Sequence, residues 1–186
     1  MSNCPKCNGA GYIETPKGCK VCTCKLAETI KSVLSKHPNI LMAKEKKFNL
    51  ELFPENTVIN VTDMDKLNSI LKTVFTYLYL KGTVRALDLI DSSSLMDAYF
   101  EKNDYYTMSS IKEADFAILI VEGDKQNKLL PDILASVASY RRNIICKPTW
   151  IVYISDEGKK IEAMPSYSGM IKQLNTYKFT FRTIKK

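Results

Sequence analysis

Five cysteines stand within the first 24 residues, as Cys4-x-x-Cys7 followed by Cys19-x-x-Cys22-x-Cys24, and the sixth, Cys146, lies far along the chain. Two thiolates separated by two residues fit one side of a tetrahedral metal ion, and a second pair after a short loop closes the shell. An all-sulfur set selects zinc over magnesium or calcium, which take oxygen ligands. Pro5 stiffens the first turn, while Gly9, Gly11 and Gly18 let the loop fold back. Two ligand sets satisfy the spacing: Cys4, Cys7, Cys22 and Cys24, or Cys4, Cys7, Cys19 and Cys22. Neither leaves the ion an open position, so a structural Zn2+ is expected, supplying folding energy that so small a segment lacks. A disulfide staple is a poorer reading, because a long single-cysteine stretch follows and no signal peptide precedes it. A redox CxxC is poorer still, since no strand leads into the motif. The only histidine, His37, lies far from the thiols beside Pro38 and suits a helix end.

The elements that position this cluster begin with a helix from Leu26 to about Met42, followed by a charged linker to Phe53. From Asn56 the pattern becomes regular. A β-branched run, Thr57–Val61, predicts a buried strand, and Leu67, Ile70, Leu71, Val74, Phe75 and Leu78 keep helical spacing until Lys81-Gly82. Further strands are expected at Val84–Ile90, Phe116–Val121, Trp150–Ile154 and Tyr177–Ile184. Helices are expected from Ser92 to Phe100, from Leu129 to Tyr140 and over Ser166–Asn175. Near-continuously apolar strands alternating with helices predict an α/β domain, a doubly wound five-stranded parallel sheet. The expected organisation is a zinc knuckle over 1–25, a helix and linker over 26–53, and a sheet domain over 54–186.

The chain's 186 residues, 45 % of them apolar, suffice for one such domain and a small appendage. Its net charge of +7 is compatible with a nucleic-acid partner, although the small concentrations at Lys44–Lys47, Arg141–Arg142 and Lys185–Lys186 read equally well as solvated surface. No apolar stretch is long enough to span a bilayer, so no membrane is implied and a cytoplasmic setting is expected.

In a doubly wound domain a phosphate would sit where the first strand meets the first helix, on a glycine-rich turn. Here that turn reads Val61-Thr62-Asp63-Met64-Asp65-Lys66-Leu67, with no glycine and two carboxylates. The third strand ends Val121-Glu122-Gly123-Asp124, which offers Glu122 but not the paired acids that hold magnesium, and the fourth ends Tyr153-Ile154-Ser155, without a polar γ-phosphate sensor. These three departures predict a nucleotide-free relative of an ATPase, with no catalytic residues and no bound nucleotide. Trp150 is expected in the core, and Tyr105-Tyr106 in a polar loop.

Across nearly its full length the chain resembles the DnaC/DnaI-type, IstB-like helicase loaders of the AAA+ ATPases. The resemblance rests on Cys4-Pro-Lys-Cys7-Asn-Gly-Ala-Gly11-Tyr12-Ile13 with Val21-Cys22-Thr-Cys24, and on Phe48 and Phe53 before the core. It rests also on Leu78–Gly82, Leu89–Leu95, Ala114–Ile120, and the stretch from Ile133 through Arg141-Arg142 to Lys147–Val152. Loaders of this kind close their zinc module with C-x-C, which implies Cys4, Cys7, Cys22 and Cys24 as ligands, with Cys19 the alternative. The resemblance further implies a sheet order of 5-1-4-3-2 without a helical lid. It implies a phage or mobile-element replication accessory protein that binds the replicative helicase or its loader through residues 1–42, as helper or inhibitor, in the bacterial cytoplasm. Arg141, Arg142 and Lys147 are the implied contacts to single-stranded DNA. The alternative function is a zinc-knuckle nucleic-acid-binding protein in transcription or recombination.

Overall fold

The computed structural model of the protein describes residues 4–44, 56–81, 87–101, 105–123, 127–155 and 157–184. Phe48, Phe53, the bases after Lys44, the start of the strand expected at Val84, the side chains of Tyr105 and Tyr106, and Lys185-Lys186 lie outside the described residues. The chain divides into two compact units, one made of residues 1–48 and 65–85 and the other of 49–64 and 86–186.

The first unit opens with an antiparallel hairpin, β1 (Tyr12–Thr15) and β2 (Gly18–Val21), in register Tyr12 to Val21 and Thr15 to Gly18. Helix α1 (Thr23–Ser35) follows directly, and α2 (Pro38–Met42) starts after a break that Pro38 dictates by taking the first helical position. The single helix expected over 26–42 is therefore two. Helix α3 (Met64–Lys81), expected in the sheet domain, is grouped from Asp65 with this N-terminal segment. Hydrogen bonds explain the grouping: Lys72 Nζ donates to the carbonyls of Leu41 and Ala43, both at 2.9 Å, and Ser69 Oγ donates to that of Lys44 at 2.5 Å. A cation on the last carbonyls of α2 satisfies groups the helix cannot bond itself. Of the apolar stripe read from the sequence, Leu67, Ile70, Leu71, Val74 and Phe75 are buried and Leu78 is half-buried.

The second unit is built on a five-stranded parallel sheet of β3 (Asn56–Val61), β4 (Leu87–Asp91), β5 (Phe116–Glu122), β6 (Thr149–Ile154) and β7 (Thr180–Ile184), in the order β4-β5-β6-β3-β7. Helices α4 (Ser92–Phe100), α5 (Tyr105–Glu113), α6 (Leu130–Tyr140) and α7 (Ser168–Thr176) complete it. Val58, Leu119, Ile151 and Tyr153 share a core with Leu95, Ile111, Leu134, Met170 and Leu174 of these helices. The alternate strand positions Ile59, Ile118 and Val152 are buried as well, which is why the inner strands β3, β5 and β6 read as near-continuous apolar runs. Trp150 packs edge-on against Phe116, their ring centroids 5.3 Å apart. At the head of α4, Asp91 accepts from the Ser94 N–H and hydroxyl, both at 2.9 Å. Burial alone would raise the Asp91 carboxyl, but these bonds and the Ser93 N–H outweigh it and hold the group below its ordinary value.

Gly123, just past β5, is required by close approach. A Cβ there would stand 2.8 Å from the Tyr153 hydroxyl and 2.9 Å from the Ile154 carbonyl oxygen, which also accepts the Gly123 N–H. Gly123→Ala should cost about 1–3 kcal/mol, read as a lower urea midpoint with the slope unchanged; an unmoved midpoint would show that the strand ends yield freely.

Candidate metal centre

The four sulfurs of Cys4, Cys7, Cys22 and Cys24 all lie within 4.8 Å of one another. Cys4 Sγ is 3.8 Å from Cys22 Sγ, and Cys7 Sγ is 3.5 Å from Cys24 Sγ. A tetrahedron with Zn–S bonds of about 2.3 Å spaces its sulfurs about 3.8 Å apart. The four thiols thus form a possible metal site whose dimensions fit a tetrahedral ion. Cys19 is exposed on β2, across from Glu14, and takes no part in this group.

Local backbone geometry makes the cluster. Cys4 O accepts from the N–H groups of Cys7 and Asn8, a tight turn that points both sulfurs of the first pair the same way. Gly11, at φ +76°, donates its N–H to Cys7 Sγ at 3.4 Å and accepts the Cys22 N–H at 2.8 Å, so one residue ties the first pair to the second. That φ is open to glycine and costly for other residues. Cys22 is the N-cap of α1 and Cys24 lies in its first turn, where the helix presents its positive end. The Cys24 backbone N–H and the neighbouring thiols lower Cys22 to about 7, against the opposing effect of burial. Hydrogen bonding with the Cys22 and Cys7 sulfurs pushes the Cys24 thiol up to about 12. Four thiols this close cannot all ionise unaided, and a divalent cation is the partner that allows it.

His37 caps α2 with its carbonyl, accepting from Ile40 and Leu41, and is not among the clustered ligands. Among the described residues, no other group of His, Cys, Asp or Glu is arranged to hold a metal.

The three bases expected to meet DNA are separated in role. Arg141 corrects that expectation, because its side chain is wholly buried. Its Nε donates to Thr149 Oγ1 at 2.8 Å, and Nη1 to the carbonyls of Ile111, Lys112 and Ala114 at 2.8–2.9 Å. Nη2 donates to Pro148 O at 2.7 Å. Burial lowers this guanidinium to about 10, with Asp115 and Asp88 opposing, so it remains charged at neutral pH. Lys147 pairs with Asp115 at 2.8 Å, and Arg142 is exposed.

At the carboxyl ends of the strands, where a phosphate would bind, Asn60 is engaged by other groups. Its Nδ2 donates to Glu162 Oε2 at 2.8 Å, and its Oδ1 accepts the Ile161 N–H at 2.9 Å. The Ser155 N–H bonds the Val61 carbonyl, and a Cβ at Gly158 would touch Thr62 Cγ2 at 3.6 Å, so the segment after β6 lies against the end of β3. Among the described residues, no helix is long and apolar enough to cross a membrane. No family model matches the chain, and no curated protein matches it.

Proposed function

We propose that the protein is a non-catalytic replication accessory factor of the helicase-loader type, in which a structural Zn2+ fixes a protein-docking knuckle. The observation that carries this reading is the closed four-thiol cluster, formed by the same Cys4-Pro-Lys-Cys7 and Cys22-Thr-Cys24 segments on which the resemblance to loaders rests. Cys4, Cys7, Cys22 and Cys24 would hold the ion, which supplies no reaction and joins the hairpin to α1. A parallel sheet in which the first core strand lies between the fourth and the fifth is compatible with the same reading. So is the end of β3, where Thr62 and Asp63 replace a glycine turn and the segment after β6 lies close.

The mechanism is binding alone. Tyr12 and Val21 face one another across the hairpin and are 56 % and 38 % exposed, an apolar pair that a protein partner would cover. Arg142 and Lys147 remain as positions for contact with single-stranded DNA, a weak and salt-dependent attraction.

The test is affinity capture by the tagged full chain from the cytoplasm of its own cell, read by mass spectrometry. Recovery of the replicative helicase or its loader, lost with Cys4→Ser/Cys7→Ser and weakened about tenfold by Tyr12→Ala, is the expected result. Recovery of RNA polymerase, recombination proteins or only nuclease-sensitive partners would replace it with the nucleic-acid-binding reading. Titration calorimetry with ATP should give no heat of binding; binding abolished by Lys66→Ala would restore an ATPase.

A further inference from the structure

Within the thiol cluster, each buried sulfur lies close to a half-exposed one. Cys22 is fully buried and Cys7 is 8 % exposed, whereas Cys4 and Cys24 are partly open to solvent. The short contacts pair Cys7 with Cys24, at 3.5 Å, and Cys4 with Cys22, at 3.8 Å. The Gly11 N–H on Cys7 Sγ stabilises charge on that sulfur and lowers its nucleophilicity. The outer sulfur of each pair is thus the accessible one, and the inner sulfur is in place to resolve whatever forms on it.

We propose that the cluster is a peroxide-responsive metal switch, in which oxidation closes Cys7–Cys24 and Cys4–Cys22 and releases the ion. The inference rests on the metal-holding reading given above. In the first step the Cys24 sulfur, which a bound ion would hold as thiolate, attacks one oxygen of hydrogen peroxide; the O–O bond breaks, hydroxide leaves and Cys24 carries a sulfenic acid. The Cys7 thiolate then attacks the Cys24 sulfur, the S–S bond forms, the S–O bond breaks and a second hydroxide leaves. Two protons convert both hydroxides to water, and the two sulfurs have given two electrons to one peroxide. A second peroxide oxidises Cys4 and Cys22 in the same way. With Cys4, Cys7, Cys22 and Cys24 oxidised, a Zn2+ they had held would lose its thiolate ligands, and no change in its own oxidation state would be needed.

The pairing matters for reversibility. Both cross-links join the turn at Cys4–Cys7 to the start of α1, the segments the ion itself joins, so the oxidised knuckle stays closed and a thiol reductant can restore the site. The competing local link between Cys22 and Cys24, with only Thr23 between them, would strain the backbone. Cys19, exposed on β2 outside the cluster, is not needed.

The experiment loads the full chain with one equivalent of Zn2+, confirms the ion by elemental analysis, and adds hydrogen peroxide stepwise while a chromogenic chelator reports free zinc. Non-reducing trypsin digestion then maps the links, with tandem fragmentation between Cys22 and Cys24 to tell which of the two each partner joins, since Cys4, Cys7 and Cys19 fall on three separate peptides and Cys22 and Cys24 share a fourth. Expected are complete zinc release, the Cys7–Cys24 link before Cys4–Cys22, reuptake of zinc after dithiothreitol, and an unchanged response in Cys19→Ser. Zinc retained while Cys19 and Cys146 are already oxidised overturns the switch, as does a map of Cys4–Cys7 and Cys22–Cys24 links or a response abolished by Cys19→Ser. If no zinc is bound before peroxide is added, the metal reading itself fails and the switch falls with it.

Discussion

Chelating zinc from the loaded protein should abolish the ordered structure of residues 4–22. The expected loss is large because almost nothing else holds this segment together. Along β1 and β2 every side chain is exposed except Ile13, which is half-buried, and of the residues from Cys4 to Cys22 only Cys7, Gly11 and Cys22 are buried. An isolated two-stranded hairpin is marginal in water, and this one has no apolar face to add. The backbone bonds from Asn8 to Cys4, Ala10 to Cys7 and Cys22 to Gly11 each contribute about 1 kcal/mol at best. Structural zinc binding supplies on the order of 10 kcal/mol, so the metal term dominates. Hydrogen exchange read by mass spectrometry should show the Asn8, Ala10 and Cys22 amides protected with zinc and exchanging as free chain after chelation. Protection that survives chelation would mean that the thiol cluster is held by the polypeptide and not by an ion.

The same segment shows what the sequence carries and what it does not. Cysteine spacing announces a metal site because ligand geometry is local, and the competing sets differ only in whether Cys19 or Cys24 completes it. The fold brings Cys24 and not Cys19 beside the other three: Cys22 is the N-cap of α1 and Cys24 follows in its first turn, while Cys19, in the middle of β2, is exposed. The inner strands β3, β5 and β6 are legible because both faces are buried and their runs are mostly apolar, whereas the edge strands β4 and β7 are only partly buried. Helix α5 is not legible. Its sequence, Tyr-Tyr-Thr-Met-Ser-Ser-Ile-Lys-Glu, has little helical periodicity, and only its first two residues, Tyr105-Tyr106, are read from the sequence, as part of a polar loop. The last carbonyls of α5 are satisfied by the guanidinium of a residue some thirty positions later in the chain, a contact that no local pattern reveals. The hairpin β1–β2 escaped for a related reason, since its register is fixed by the thiol cluster and the turn before Gly18, not by alternation of apolar residues.

Replacing Arg141 by Met should destabilise the sheet unit by about 4 kcal/mol or more, whereas Arg142→Met should stay within about 0.5 kcal/mol. The two arginines are adjacent in sequence and alike in composition, yet their environments are opposite. Arg141 lies at the start of the wide turn that ends α6, Arg141–Ile145, closed by Cys146 in a left-handed conformation at φ +56°. From there it spends its donors on Thr149 and on four carbonyls, those of Ile111, Lys112, Ala114 and Pro148. It therefore joins the end of α5 and the start of β5 to the residues leading into β6. Removing it takes a donor from five acceptors, of which the Pro148 carbonyl keeps the Ala117 N–H, and a buried acceptor left without a donor costs about 1–3 kcal/mol. For a chain of this size each kcal/mol lowers the melting temperature by about 2–4 °C, so Arg141→Met should melt roughly 10 °C below the parent. Arg141→Lys should recover less than half of that, because an ammonium keeps the charge but cannot span the fork of acceptors. Exchange of the α5 amides should accelerate in both variants and not in Arg142→Met. A DNA-binding assay separates the remaining role: any affinity lost by Arg142→Met without loss of melting temperature belongs to surface charge. Equal melting temperatures for the two Met variants would show that the buried guanidinium is dispensable and that the end of α5 is held by something else.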